Sequence, residues 1–282
     1  MIKKKTPGMR AIWLGQALRE IRDAADLTSR EAGRYLYRDG SSISRMENGE
    51  IPITVEILEA WMEMCGVTDP HKRTDLMTIR KDVAQSGWWD GYKGDAVVSN
   101  LMDRAWMESK AIAIRSFDSA SFPGLLQIPQ YAEALMRARN PGLGADVIER
   151  WVEVRVTRQH VLGKYQPLRL TTIIEEHQLR NLAAHPEVMR AQLGHLLEQW
   201  DRSNIEIRVL PTGVCTGLGG SFELIDLADP YPKVALLVSS AGEICVEGAE
   251  VESLSKTYDR LLDASLDSKA SKKLITAERD KL

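Results

Sequence analysis

A short polar segment near the start of the chain carries the side chains best suited to bind another molecule through hydrogen bonds. On a helical wheel of ~100° per residue, Ser41, Arg45 and Asn48 fall on one side, and Ser42 and Ser44 lie on its flanks. Arginine can bind guanine through two hydrogen bonds, and serine suits several base edges. This face therefore has the chemistry to read the major groove of DNA, with Asn48 placed to contact a phosphate.

An ordinary surface helix would present a similar polar face, and the wheel alone favours neither interpretation. The opposite side of the wheel holds Ile43 and Met46, and Glu47 lies close to them. The pattern predicts a helix with one face packed on a core and the other face free.

Two helices joined by a turn must position this face. Thr28 can cap the first helix, because Glu31 follows three residues later and completes a capping box. Asp39 can cap the second helix, and Gly49 can end it. Residues 36–38 connect the two helices, and this connection is short enough for a helix-turn-helix.

The segment from residue 14 to residue 67 resembles the lambda-repressor-like (XRE) helix-turn-helix family. The matching positions are Leu14, Leu18, Arg22, Leu27, Thr28, Ala32, the block SSISRMENG at residues 41–49, and Leu58. The resemblance implies that this block is the DNA-recognition helix. It also implies a structural ion pair between Arg22 and Glu47, and a homodimer bound to double-stranded DNA at a two-fold operator.

The wheel and the resemblance together indicate a set of DNA-binding residues. These are Ser29, Arg30, Gly40, Ser41, Ser42, Ser44, Arg45 and Asn48. We expect Ser41, Ser42 and Arg45 to read bases, and the two residues on the preceding helix to contact the backbone or a flanking base. Gly40 stands where the family commonly has a polar or basic residue, so the operator sequence cannot be transferred from relatives.

The charge distribution favours a local basic surface, although the whole chain has a net charge of −3. Residues 1–45 contain ten Lys and Arg against five Asp and Glu, and residues 46–68 contain five Glu and no basic residue. Phosphates respond to the local face rather than to total charge. The run Lys3, Lys4 and Lys5 fits either a DNA-contacting arm or a solvated tail.

The rest of the chain alternates helix and strand patterns. This predicts a larger α+β C-terminal domain after a mainly α N-terminal helix-turn-helix domain. The boundaries are set at 9–68 for the DNA-binding domain, 69–97 for a connector with some helix, and 98–282 for the α+β domain. Residues 267–282 are expected to form a fraying helix.

An aromatic cluster marks the connector. Trp88, Trp89 and Tyr92 together form too much aromatic surface to remain exposed, so we expect them to pack against the second domain. A binding site for a flat ligand is the alternative interpretation.

The C-terminal domain carries a second resemblance. Residues 122–132 read FPGLLQIPQYA and are similar to the PGLLQ signature of a large actinomycete regulator family. Further segments that agree in order are residues 158–162, 174–180, 192–196, 209–211, 221–222 and 258–261. Members join an XRE domain to this domain and look like antitoxin-like transcriptional regulators, and their genes often neighbour one for a small protein. The resemblance implies partner or signal sensing without naming a ligand.

Motifs for catalysis or metal binding are not evident. The five histidines show no HExxH spacing, and Cys65, Cys215 and Cys245 are scattered without a CxxC, which fits a reducing compartment. The EEH run at residues 175–177 could serve acid–base chemistry, but a polar helix start after a strand explains it better. No membrane span or signal-peptide pattern is found. We therefore expect a cytoplasmic, nucleoid-associated protein with no metal, no cofactor and no enzymatic activity.

Two hypotheses of different class follow. The first is a sequence-specific DNA-binding transcriptional regulator, antitoxin-like, whose C-terminal domain senses a partner protein or signal. The second is a protein-interaction scaffold or antitoxin whose main role is to bind a small protein encoded nearby. The two are compatible. Small-molecule sensing is a third interpretation, which rests on the size of the C-terminal domain alone.

Overall fold

The structure is a computed structural model, and it describes residues 7–85, 87, 99–181, 185–214, 220–239 and 242–282. The chain divides into two compact units. The first comprises residues 1–90 with 229–231, and the second comprises residues 91–228 with 232–282. Five features discussed above lie outside the described residues: the Lys3, Lys4 and Lys5 run, Trp88, Trp89, Tyr92 and Cys215.

The first unit is helical. Its helices are α1 (Met9–Ala24), α2 (Ser29–Tyr35), α3 (Gly40–Glu47), α4 (Val55–Met64) and α5 (Pro70–Ala84). α5 lies in the segment where the sequence predicts a connector with some helix. The core of the unit is apolar and fully buried, and its central residues are Leu14, Leu18, Ile43, Leu58 and Trp61.

The predicted caps form at the starts of α2 and α3. The Thr28 side chain accepts the Glu31 backbone N–H, and the Glu31 carboxylate accepts the Thr28 backbone N–H in return, at 2.8 Å. At α3, the Asp39 carboxylate accepts the Ser42 backbone N–H at 2.6 Å. Each cap satisfies a backbone donor that the first helical turn leaves free, so local sequence fixes where both helices begin.

The second unit contains one sheet with helices on it. Its helices are α6 (Ser99–Lys110), α7 (Pro129–Arg139), α8 (Ala145–Arg158), α9 (Pro186–Gln199), α10 (Ala249–Ala264) and α11 (Ser268–Lys281). Its strands are β1 (Ala111–Asp118), β2 (Arg169–Glu175), β3 (Ile205–Leu210), β4 (Ser221–Leu227), β5 (Val234–Ser239) and β6 (Gly242–Glu247). The described strands run in the order β3-β2-β1-β4-β5-β6. β1, β2 and β3 are parallel, and β4, β5 and β6 add antiparallel neighbours. The predicted α+β class is therefore confirmed.

The two faces of the sheet differ in chemistry. One face is apolar: Phe117 and Phe222 pack with Val251, Tyr258 and Leu261 of α10. The other face carries polar side chains at the centre of the sheet, namely Ser116, Asp118, Thr172 and Glu223, all buried. The strand register places Ser116 beside both Thr172 and Glu223. Buried polar groups at the middle of a sheet need partners: Ser116, Asp118 and Thr172 bond one another, and Arg104 of α6 donates to Glu223.

The C-terminal helix does not fray, so that expectation was wrong. Ile275 of α11 is fully buried. Arg180 donates to Glu278 through two nitrogens, at 2.9 and 2.7 Å. The segment also completes the outer edge of β3, since the Val209 N–H donates to Ser271 Oγ and the Leu266 N–H donates to the Val209 carbonyl. The many charged residues of α11 predict a solvent-exposed helix, so the sequence did not indicate that buried Ile275 and the ion pair of Glu278 hold it on the domain.

Candidate nucleic-acid interface

α3 presents one buried side and one free side. Ile43, Met46 and Glu47 are buried, with 0, 3 and 3% of their surface exposed. The predicted DNA-binding residues lie on the other side: Ser41, Arg45 and Asn48 are exposed, and Gly40, Ser42 and Ser44 are partly exposed. On α2, Arg30 is exposed and Ser29 is partly exposed. The structure therefore places five of the eight residues on α3, Asn48 at its C-terminal cap and two at the start of the neighbouring helix.

Helix α1 holds the end of α3 by direct backbone contact. A Cβ added at Gly15 would lie 2.3 Å from the Glu47 carbonyl oxygen, so only glycine allows this approach. Gly49 ends α3 with a positive φ of 72°, and a Cβ there would lie 2.8 Å from the Ala11 carbonyl carbon. These two contacts fix the exposed face of α3 relative to α1.

The predicted ion pair forms beneath this face. Arg22 Nε donates to Glu47 Oε1 at 2.5 Å, and Arg22 Nη2 donates to Glu47 Oε2 at 3.1 Å. The remaining Arg22 nitrogen donates to the Leu27 carbonyl at 2.6 Å and to Asp23. The hydrogen bond with Glu47 raises the pKa of Arg22 above its usual value. A buried bidentate pair of this kind joins α1 to α3 with defined orientation.

A second arginine, which sequence reasoning missed, extends this pair to the surface. Arg19 Nε donates to Glu47 Oε2 at 3.2 Å, and Arg19 Nη2 donates to Asn48 Oδ1 at 3.0 Å. Because the amide oxygen of Asn48 is engaged, its NH2 group is the part free to bind outward. Arg19 lies four residues after the buried Gly15, a spacing that puts both on the α3-facing side of α1 and could have revealed it.

Arg45 is the main cation on the exposed side of α3. Its side chain is 53% exposed, and its Nε donates to Glu50 at 3.4 Å. A surface pair at this distance contributes little to stability, so the guanidinium can exchange Glu50 for another acceptor at small cost.

The turn between α2 and α3 is tight. The Arg38 backbone N–H donates to the Gly33 carbonyl at 2.7 Å, and a Cβ at Gly33 would lie 2.7 Å from the Arg38 carbonyl oxygen. Tyr37 takes a positive φ of 54° and is 94% exposed. Glycine thus lets the two helices meet closely, as a helix-turn-helix requires.

The described part of the chain contains no group of three or more His, Cys, Asp and Glu side chains able to hold a metal ion. No helix in this part is both long and apolar enough to span a bilayer. In the EEH run, the His177 ring lies 3.2 Å from Glu175, and Glu176 accepts the Thr212 backbone N–H.

The capped helices, the short turn and the polar outer face of α3 define a helix-turn-helix DNA-binding domain. Comparison with protein families agrees, because a helix-turn-helix domain model matches residues 13–76. A second model, described as a domain of unknown function (DUF5753), matches residues 101–277, more than half of the chain. The chain belongs to this DUF5753 family. Searches of curated proteins and of solved structures gave no significant match.

Proposed function

We propose that the protein is a sequence-specific DNA-binding transcriptional regulator of the XRE type, located with the nucleoid in the cytoplasm. The observation that carries this proposal is the exposed side of α3, where Ser41, Arg45 and Asn48 project from a helix whose other side is buried. The helix is fixed from below by Arg22, Glu47 and Gly15. A rigid helix with free donors is what major-groove reading requires.

Each residue has a role in this proposal that its chemistry supports. Arg45 has five donors in a planar fork and reads a guanine. Ser41 and Ser42 contact base edges near the start of α3. The free NH2 group of Asn48 donates to a phosphate, since Arg19 occupies its oxygen. Arg30 and Ser29 contact the backbone from the start of α2.

A homodimer on a two-fold operator is part of the proposal. One recognition helix buries little surface, and a dimer doubles the number of base contacts. The C-terminal domain, which has no catalytic role in this proposal, senses a partner or signal. An antitoxin-like scaffold that holds a small neighbouring gene product is the alternative, and the PGLLQ resemblance favours a role of this kind.

The proposal is tested by genome-wide DNA occupancy of the wild type beside an Arg45→Ala, Ser41→Ala double variant. The matched control is Arg137→Ala, which removes an exposed arginine of α7. Discrete peaks near the protein's own gene, kept in the control and lost in the double variant, are the expected result. Diffuse signal, or peaks that the double variant retains, would overturn the assignment of α3 as the reading helix.

The alternative function, an antitoxin-like scaffold, is tested by co-purification. The full-length chain is tagged and purified from its host, and the product of the neighbouring gene is sought among the bound proteins. Recovery of that product with equal efficiency by the double variant would show that partner binding does not depend on DNA.

A further inference from the structure

We propose that the C-terminal unit binds a small oxyanion, a carboxylate or phosphate group, on the guanidinium groups of Arg155 and Arg158 beside Gly124. The inference concerns the second unit alone and does not depend on the DNA-binding proposal. It rests on how the charges buried between the sheet, α6 and α8 are paired.

Most of the buried charges in this region have a partner of opposite sign. Arg158, which is 2% exposed, donates to Glu108 through Nε at 2.8 Å and through Nη2 at 2.5 Å. Arg104 donates to Glu223, to Glu243 and, at 3.4 Å, to Glu108. Each of these three carboxylates is therefore in direct contact with at least one of the two arginines.

Arg155 is partly exposed, although its Nε is buried, and its partners are of another kind. Its Nη1 donates to the Gln127 side-chain oxygen at 2.6 Å, and its guanidinium lies 3.9 Å from the centre of the Trp151 ring. Within the described ranges, no carboxylate lies at ion-pair distance from it. Burial and the neighbouring positive charge of Arg158 lower the pKa of Arg155, yet a guanidinium stays charged at neutral pH. A guanidinium donor that is buried without an acceptor costs free energy.

Two buried donors also point to a missing acceptor. Nε of Arg155 and Nη1 of Arg158 are fully buried and have no hydrogen-bond partner in the part of the chain that the structure describes. Buried donors are almost always satisfied in folded proteins. One oxyanion has several acceptor sites and can supply the charge and the hydrogen bonds together.

Gly124 leaves room next to both guanidinium groups. A Cβ added there would lie 3.7 Å from Arg155 Nη1 and 3.7 Å from Arg158 Nη2, and its three nearest neighbours are all atoms of these two arginines. Its backbone is outside the positive-φ region, so the conformation does not demand glycine. These two nitrogens already donate to Gln127 and Glu108, so the missing side chain leaves space for one ligand atom in contact with both guanidinium groups.

The guanidinium donors of Arg155 and Arg158 determine which class of ligand can bind. Arginine forks match the planar or tetrahedral oxygens of carboxylates and phosphates. Gln127 is fully buried and Arg158 nearly so, which limits the group that enters to a small one. A carboxylate or phosphate at the end of a small molecule meets both conditions.

The test measures thermal unfolding of the full-length chain with increasing inorganic phosphate or sodium acetate, at constant pH and with ionic strength held constant by sodium chloride. The variants are Arg155→Met and Gly124→Ala, and Arg137→Met is the control. We expect a saturable rise in the melting temperature of the second unit in the wild type and the control. Arg155→Met should abolish the rise, and Gly124→Ala should weaken it.

The arms separate the two oxyanions, since a response to phosphate alone indicates a phosphate ligand and a response to acetate alone indicates a carboxylate. Absence of a saturable rise with either anion would overturn the proposal, as would an equal rise in Arg155→Met. If Arg155→Met fails to fold, Gly124→Ala still decides, because it adds one methyl group at ordinary contact distance.

Discussion

Gly15 of α1 faces the carbonyl oxygen of Glu47 so closely that a Cβ at residue 15 would lie 2.3 Å from it. The contact is backbone to backbone, so neither side can move away by changing a rotamer. The orientation of the exposed side of α3 therefore depends on a residue that has no side chain.

Replacing Gly15 by alanine should destabilise the helix-turn-helix unit by about 1–3 kcal/mol, the usual cost of overpacking a well-filled core. Gly194→Ala is the matched control, because Gly194 lies in α9 and a Cβ there meets nothing within 4 Å. That change should stabilise the second unit by about 0.5–1 kcal/mol, since alanine favours helices. Chemical denaturation of the full chain measures both, and equal stability of Gly15→Ala and wild type would contradict the close contact.

Glu47→Ala should cost about 3–5 kcal/mol of unfolding free energy, because it removes the buried partner of Arg22 and leaves only the exposed Asp23 as a counter-ion. Glu50→Ala is the control, as it removes a carboxylate from a surface pair. The double variant Arg22→Met, Glu47→Leu should recover much of the loss, since apolar residues of similar size can replace a buried pair. An unchanged melting temperature in Glu47→Ala would refute the structural role of the pair.

Arg45→Ala should weaken binding to the operator by about 1–3 kcal/mol and relax specificity at one base pair. The measurement is a titration of the wild type and variant against a set of operators, each with one base pair changed. Arg137→Ala should bind all of them as the wild type does. If Arg45→Ala lost affinity equally for all sequences, Arg45 would be a phosphate contact and not a reader.

Arg19→Met should weaken DNA binding through Asn48, whose amide it orients. In a double-mutant cycle, Arg19→Met should have less effect in an Asn48→Ala background than in the wild type, because residues that share one interaction are not additive. The affinities of the four proteins for one operator, measured at a single salt concentration, give the coupling. Strict additivity would mean that Arg19 contacts DNA independently of Asn48.

Asp118→Asn should flatten the pH dependence of the stability of the second unit. Burial, followed by the charge of Glu223, raises the pKa of Asp118 to about 7, whereas an unfolded Asp titrates near ~3.9. Between about pH 4 and pH 7 the folded state thus binds the additional proton, so stability falls as pH rises, by at most about 1.4 kcal/mol per pH unit. The free energy of unfolding of the wild type and of Asp118→Asn, measured across this pH range, tests the prediction. Asp259→Asn is the control, because Asp259 is exposed. Identical slopes in Asp118→Asn and wild type would count against the raised pKa.

The helix-turn-helix could be predicted from the sequence because the patterns that indicate it are short-range. The cap joins Thr28 to Glu31, three positions apart, and the polar residues of α3 repeat with the helical period. The alternation of helix and strand patterns in the second half was also sufficient to predict an α+β class. These features depend on neighbours in sequence, so spacing alone reveals them.

Features built from distant residues were not predictable in this way. Arg104 lies 119 residues from Glu223 and 139 residues from Glu243 in sequence, and only strand order brings them together. The docking of the C-terminal helix is not predictable for the same reason, since Arg180 and Glu278 are 98 residues apart in sequence. The sequence of α11 is rich in charged residues, and it contains no local pattern that distinguishes a helix packed on the domain from a solvent-exposed one.

The outer edge of β3 has a consequence for synthesis of the protein. β3 ends at Leu210, yet the partners of Val209 are Leu266 and Ser271, which the ribosome adds later. Until then the nascent chain carries an unpaired strand edge, which is a template for aggregation. Val209 acquires both of these hydrogen-bond partners only when residues 266–271 have been synthesised, so this edge is among the last parts of the sheet to be completed.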